Sequence, residues 1–315
     1  MRFNKLDLNL LVALDVLLSE QSITRAARKL NLSQSATSGV LARLREYFKD
    51  DLLIQVGRIM VRTVLAEQLS NPVRDVLLQI QSTIETKPGF DPARSTRHFR
   101  IAASDYSTCV ILSRLVRRLG DDAPGISLEI ISPRDDTVEQ AERGEIDIVL
   151  MPRAFTGMEA HSGELLLRDV YCCIVWEGNT LVDYAITMQQ YLAMDHVAAR
   201  FGDRASSFEE WTLHGAGIER RIATTSTHFS ILPQLLIGTN RVATLQSRLA
   251  ALSARYFPIR ILQAPMAIPP MEMMMRWHRF LDGDLAHHWL REQLKSAAAS
   301  GSDSEEEGDA VHAAT

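Results

Sequence analysis

Residues 22–58 read SITRAARKLNLSQSATSGVLARLREYFKDDLLIQVGR, and this stretch decides the fold. Ser22 stands where a helix N-cap belongs, ahead of ITRAARKL, in which Ala26 and Ala27 are small and Leu30 closes the segment. The link Asn31-Leu32-Ser33 follows; Asn tolerates the left-handed turn conformation, and Ser33 caps the next helix, QSATSGVLARLREYF. Two short helices, small residues at their contact and a turn of three to four residues are the pattern of a helix-turn-helix. The first turns of the second helix carry Gln34, Ser35, Thr37 and Ser38, small or able to pair with base edges, whereas Val40, Leu41 and Leu44 supply a buried face. That arrangement suits a recognition helix whose N-terminal end, with Ser33, enters a major groove of double-stranded DNA. Arg43 and Arg45 are placed to reach phosphates. The run DDLLIQVGRIMVRT then predicts a two-stranded wing turning at Gly57-Arg58, with Arg58 and Arg62 facing the DNA backbone. The competing reading is a plain helical bundle with a polar surface.

Working outward, Leu6, Leu10, Leu11, Leu14, Leu17 and Leu18 recur at helical spacing, so residues 7–19 are expected to form an amphipathic helix. Residues 1–62 hold ten Lys or Arg against six acids, a balance of +4, and residues 300–315 hold five acids and no Lys or Arg. The whole chain carries −5, so the remainder is −5 − 4 + 5 = −4. A basic module therefore sits on an acidic body, and nucleic acid is a partner for the first part only. At 315 residues, 46% hydrophobic and 23% charged, the chain fits a globular protein of two domains or so, and excludes a disulfide scaffold, a collagen-like repeat and a chain disordered throughout. No apolar run reaches the roughly 18 residues of a spanning helix, so no membrane role is expected. Cys109, Cys172 and Cys173 form no C-x-x-C pair, which argues for a reducing cytoplasm and against a zinc site.

Residues 64–86 carry a stripe of Leu65, Leu69, Val73, Val76, Leu77, Ile80 and Ile84, with Pro72 inside it. The stripe packs either on its own chain or on another helix, and Lys87 to Pro92 marks a hinge. From residue 96 the pattern alternates: HFRIAAS, ISLEIISP and IDIVLMP as strands, STCVILSRLVRRLG and DTVEQAERGE as helices, which implies parallel sheet. LLLRDVYCCIVWEG reads as strand, YLAMDHVAARF and EEWTLHGAG as helical, RRIATTS as strand, and FSILPQLLIGT and RVATLQSRLAAL as helical. Two α/β lobes joined by crossing strands would produce this order, with a small ligand at the C-terminal strand ends. The candidate lining is Ser104, Asp105, Tyr106 and Thr108 after the first strand, Pro152 and Arg153 after the third, Thr227, His228 and Phe229 near Thr225, and the pair His196 and Phe201. Capping by Ser104 or Asp105 is the competing role there. No catalytic motif is present: no G-x-S-x-G, G-x-G-x-x-G, G-x-x-x-x-G-K-S/T or H-E-x-x-H. His287 and His288 are adjacent rather than one turn apart, and Met271 with Met273 to Met275 fits a strand or packed core, so neither a metal nor a cofactor is expected. An enzyme or a solute-binding protein using the same lobes is the rival class.

The residues Ala26, Ala27, Leu30, Ser33, Gln34, Ala36, Ser38, Leu44, Leu52, Leu53 and Arg58 fall on the pattern of LysR-type transcriptional regulators, which the chain resembles from residue 1 to about 295. MRFNKLDLNLLVALDVLL, DHVAARFG and EEW are similar to the nodulation-activator branch, which also contains regulators of aromatic-compound degradation. The sequence departs at Ser35, where the family has proline, and at Thr63-Val64-Leu65-Ala66-Glu67, which replaces a Thr-Pro-x-Gly turn. The resemblance implies an α/β chain with an N-terminal all-α winged helix-turn-helix (1–63), a linker and dimerisation helix with hinge (64–90) and a two-lobed effector domain like a periplasmic binding protein (91–295), while residues 296–315, which lack large apolar side chains and a periodic pattern, read as an acidic disordered tail. It implies homodimers assembling to homotetramers, RNA polymerase as a partner, and a small aromatic effector between the lobes. The preferred reading is an activator of a phenolic or chlorinated-aromatic catabolic gene set, with a flavonoid-responsive nodulation activator as the alternative.

Overall fold

The computed structural model describes residues 2–3, 6–85, 89–155, 157–158, 161–201 and 205–299. The chain divides into two compact units, Met1–Pro88 and Gly89–Thr315.

In the first unit a short antiparallel ribbon, β1 (Arg2–Phe3) with β2 (Leu6–Asp7), precedes α1 (Leu8–Glu20), α2 (Ile23–Lys29) and α3 (Gln34–Phe48). The hairpin β3 (Leu53–Val56) and β4 (Ile59–Arg62) and the long α4 (Val64–Glu85) complete it. Local side chains set the boundaries. Asp7 accepts the Asn9 amide, Ser22 the Arg25 amide and Ser33 the Ala36 amide, each satisfying a donor that the first turn leaves open. Asn31 takes a left-handed φ of 53°, as its place in the turn predicts. Gly57, with φ of 63°, opens the two-residue wing turn in a conformation costly for other residues. Leu10, Leu14, Leu17 and Leu18 of α1 meet Ala26, Leu41, Leu44, Leu52, Leu53, Ala66 and Val73 in one core. Each fully buried leucine contributes about 1.5–3 kcal/mol. The α4 stripe is divided in use: Leu69, Val73 and Leu77 join this core together with Ala66, while Val76, and Val64 outside the stripe, remain exposed. Arg74, buried on α4, is tied to Asp15 (3.2 Å) and to the Ser19 hydroxyl (3.3 Å) of α1.

The second unit holds two mixed sheets. The first lobe contains β5 (His98–Ala102), α5 (Asp105–Ser107), which runs through a π-turn at Thr108–Leu112 into α6 (Ser113–Asp122), β6 (Ser127–Ile131), α7 (Thr137–Glu142), β7 (Ile148–Pro152) and β8 (Ser162–Asp169). The second contains β9 (Tyr171–Trp176), α8 (Met188–Ala193), β10 (His196–Phe201), β11 (Ala205–Ser206), α9 (Phe208–Gly215), β12 (Ile222–Ser226), α10 (Leu232–Leu236), β13 (Val242–Gln246), α11 (Ser247–Ala254) and β14 (Ile259–Gln263). The chain then returns to the first lobe with β15 (Met271–Trp277) and α12 (Leu285–Ala299). Strand order is β6-β5-β7-β15-β8 in one sheet and β11-β10-β13-β9-β14 in the other, with β12 beside β10. β5 runs parallel to β6 and β7, and β10 to β12 and β13; the crossing strands β8, β9, β14 and β15 are antiparallel to their neighbours. The chain thus passes between lobes twice, at Val170 and again between β14 and β15.

Three sequence expectations change. HVAARF and RVATLQ are strands, not helices: Val197 to Ala199 and all of β13 are buried, and short apolar runs in such strands carry no period that separates them from buried helix. The tail does not begin at residue 296, because α12 continues to Ala299 and buries Ala297 and Ala298; residues 300–315 lie outside the described residues. The sheets are mixed rather than parallel, since the strands that cross between lobes must run against their neighbours. The methionine cluster is β15, where Met271, Met273, Met274 and Met275 are buried.

Candidate functional site

The first turns of α3 present Gln34, Ser35, Ser38 and Gly39 to solvent, followed by Ala42 and Arg43. Ser33 holds the helix start, and its hydroxyl lies 3.0 Å from that of Ser35. Three residues of the sequence-based set are committed elsewhere. Thr37 is fully buried and its hydroxyl donates to the Ser33 carbonyl at 3.0 Å, so it packs the helix start instead of reading bases. Arg45 donates from Nε to the Asp51 carbonyl (2.8 Å) and from Nη2 to the Leu53 carbonyl (2.6 Å), which fixes the wing to α3. Arg62 donates to the Leu18 carbonyl (2.8 Å) and pairs with Glu67 (3.0 Å), which fixes the wing to α1. Arg45 is spent on two backbone carbonyls and Arg62 on one carbonyl and Glu67, so both hold the wing in place. Arg58, by contrast, stands exposed at the wing tip. Asp50 has no signal in the sequence pattern: it accepts the Leu52 amide (2.7 Å) and the Thr63 hydroxyl (2.6 Å), and so holds Leu52 at φ 58° where the wing begins.

In the second unit the structure joins two segments that the sequence singles out separately. The turn after β5 and the turn after β12 meet where Asp105 Oδ2 accepts the Ser230 backbone N–H at 2.7 Å. Ser104 caps α5 by accepting the Ser107 amide, and the Thr108 hydroxyl donates back to the Ser104 carbonyl at 2.9 Å. Thr227 and His228 are exposed beside Ser230, their Oγ1 and Nδ1 at 3.0 Å. Phe229 is buried in the core shared by both lobes. Pro152 ends β7 opposite Met273, and Arg153 Nε reaches Glu272 at 2.7 Å.

Two further candidates are buried with Phe229. The Tyr106 hydroxyl donates to Asp169 at 2.6 Å, and burial beside that carboxylate raises its pKa far above the usual phenol range. His196 is fully buried at the start of β10, the opposite end from the strand termini where ligands gather; its Nε2 lies 2.8 Å from the Tyr191 carbonyl and its ring packs edge-on against Tyr191. Burial lowers its pKa to about 4, so it is neutral near pH 7. The side chain of Phe201 lies outside the described residues.

Three polar arrangements carry no sequence motif. Asp169, at the passage between lobes, accepts from the Tyr106 hydroxyl, the Ser247 hydroxyl (2.6 Å) and the Val170 amide (2.8 Å). Glu209 and Arg220 form a buried ion pair at 2.6 Å, and Arg220 also donates to the hydroxyls of Tyr191 (3.1 Å) and Thr244 (3.3 Å). His287 sits between the Asp147 carbonyl and Arg291, and burial lowers its pKa to about 4. Only pairs of opposite charge in the sequence could have hinted at any of these, and such pairs are too common to select the right one. Among the described residues no group of His, Cys, Asp or Glu is arranged to hold a metal ion, and no helix is long and apolar enough to cross a membrane.

Residues 8–67 match the model of the bacterial regulatory helix-turn-helix proteins of the lysR family, and residues 92–299 match the LysR substrate binding domain. The chain is 42% identical to Nodulation protein D 2 of Rhizobium tropici over 95% of each chain. Among solved structures it is similar to a probable transcriptional regulator of Pseudomonas aeruginosa, with a TM-score of 0.62 and 28% identity over 93% of this chain and 97% of that one. A full-length OxyR of the same organism shares the fold at a TM-score of 0.69 and 15% identity, over 93% and 94%.

Proposed function

The chain belongs to the LysR family of bacterial transcriptional regulators, and on that premise we propose that it is an effector-controlled activator of the nodulation type. The observation that carries the DNA-binding part is the exposed row Gln34, Ser35, Ser38 and Arg43 on a helix fixed by its own cap and by a wing anchored at both strands. Gln34 reads a base edge, Arg43 and the wing-tip Arg58 hold phosphates, and the pair of hydroxyls at Ser33 and Ser35 fits close to the backbone of the duplex. The exposed valines of α4, Val64 and Val76, support pairing of two chains, which places two recognition helices on two half-sites. The same reading takes the assembly to be a tetramer that contacts RNA polymerase.

The sequence alone gives preference to aromatic catabolism. The relatives reverse that order: 42% identity to a nodulation protein over nearly the full chain supports the flavonoid-responsive alternative. The effector is then a small hydroxylated aromatic held between the lobes near Ser104, Asp105, Thr227 and His228. It acts by binding one lobe arrangement more tightly than another, which shifts the population that grips the operator. The chain does no chemistry on this ligand. The test is a competition of purified full-length protein between genomic fragments and random duplex. The expected outcome is enrichment of promoter-proximal fragments by at least about 1000-fold over random DNA; enrichment indistinguishable from the salt-sensitive background would overturn the reading.

A further inference from the structure

Two adjacent residues of the first lobe, Asp105 and Tyr106, make its polar bonds to the Ser230 turn and to the Asp169 passage. Asp105 uses only one oxygen for this. Its Oδ2 accepts the Ser230 amide, while Oδ1 is buried and has no hydrogen-bond partner among the described residues. A second acceptor in the same state is Oε1 of Gln246, on a side chain 2% exposed at the C-terminal end of β13. The two flank one hydrogen-bonded chain: Tyr106 and Ser247 both donate to Asp169, Asp105 precedes Tyr106, and Gln246 precedes Ser247. Ionised carboxylates and amide oxygens accept and do not donate, and an acceptor left dry in a protein interior is unfavourable until a donor reaches it.

We propose that Asp105 Oδ1 receives a hydroxyl group of the effector, so that one carboxylate binds the ligand with one oxygen and the second lobe with the other. The ligand is therefore an uncharged, hydroxyl-bearing molecule. A carboxylate ligand would bring a second acid against Asp105; among the described residues, Nη1 of Arg248, which follows Ser247, is an open donor that would favour it, and the test separates the two. This inference rests on the effector reading above. It adds the residue, the hydrogen-bond direction and a physical link from ligand to lobe position: a hydroxyl on Oδ1 draws charge from the Oδ2–Ser230 bond and alters the latch between the lobes.

The test uses the full chain as wild type, Asp105→Asn and Asp105→Ala. Titration calorimetry is run with a trihydroxyflavone, its trimethyl ether, hydroquinone and benzoate, alongside hydrogen exchange of the peptide that contains Ser230. Asn keeps an acceptor for the Ser230 amide but turns the other position into a donor. Asp105→Asn is therefore expected to leave Ser230 protected and to weaken the hydroxylated ligand by about tenfold or more. Asp105→Ala is expected to lose both the protection and the ligand, and methylation of the hydroxyls to weaken wild-type binding by a similar factor. If the methyl ether binds as well as its parent, or Asp105→Asn binds the parent unchanged, the inference fails and the effector reading stands. If benzoate alone binds, the inference fails and the ligand is an acid. If none of the four binds, the effector reading fails and takes the inference with it.

Discussion

Arg45 distinguishes a structural arginine from a phosphate-binding one. Replacing it by Met keeps the aliphatic stem and removes two hydrogen bonds from a cation to the Asp51 and Leu53 carbonyls, at 2.8 and 2.6 Å. Hydrogen bonds to charged groups are worth about 1.5–3 kcal/mol each, and the half-exposed site lets water take over part of the loss at Asp51. The sum for Arg45→Met is then about 3 kcal/mol off the stability of the first unit, measured by urea denaturation. The same variant is titrated with duplex DNA between low and moderate salt. An arginine that neutralises no phosphate leaves the slope of log affinity against log salt unchanged, even where the affinity itself falls because the wing is misplaced. A slope reduced by about one unit with stability intact would refute the reasoning and return Arg45 to the DNA interface.

Arg58→Ala is expected to behave in the opposite way, with unchanged stability and a salt slope lower by about one unit; an unchanged slope would remove Arg58 from the phosphate contacts. Glu209→Gln should cost about 3–5 kcal/mol, because Arg220 is left buried without its counter-ion, whereas replacing both partners by Leu and Met should be far milder; a harmless single variant in denaturant titration would show that the pair is hydrated. His196 and His287 have pKa values lowered to about 4 by burial, so the unfolded chain binds more protons than the folded one between roughly pH 4 and 6.5. Stability is therefore full above pH 6.5 and falls as pH drops, by about 2 kcal/mol for each histidine at pH 5; a melting temperature of the second unit that is flat between pH 7 and 5 would contradict this.

What was legible in the sequence follows the range of the interactions. Ser22, Asn31, Ser33 and Gly57 act on backbone within a few residues, so helix starts, the tight turn and the wing turn could be read directly. The fate of Arg45 and Arg62 could not, because their acceptors are carbonyls that reach them only after the wing folds back; a backbone oxygen has no signature in the sequence. The same holds for Ser230, which meets Asp105 from 125 positions away through its amide. HVAARF failed for a different reason: a strand covered on both faces loses the alternation that identifies strands. The sequence offers Ser104 as a cap or as a ligand contact, and the structure gives it the cap while leaving the neighbouring Asp105 oxygen open.

The central claim is that a ligand between the lobes changes how the recognition helices hold DNA. The most direct measurement is a footprint of the full-length protein on its operator, with and without a trihydroxyflavone at saturating concentration. The expected result is a protected region whose length or spacing of protected half-sites changes with the ligand, and that change is absent for Asp105→Ala. An identical footprint with and without bound ligand would contradict the claim.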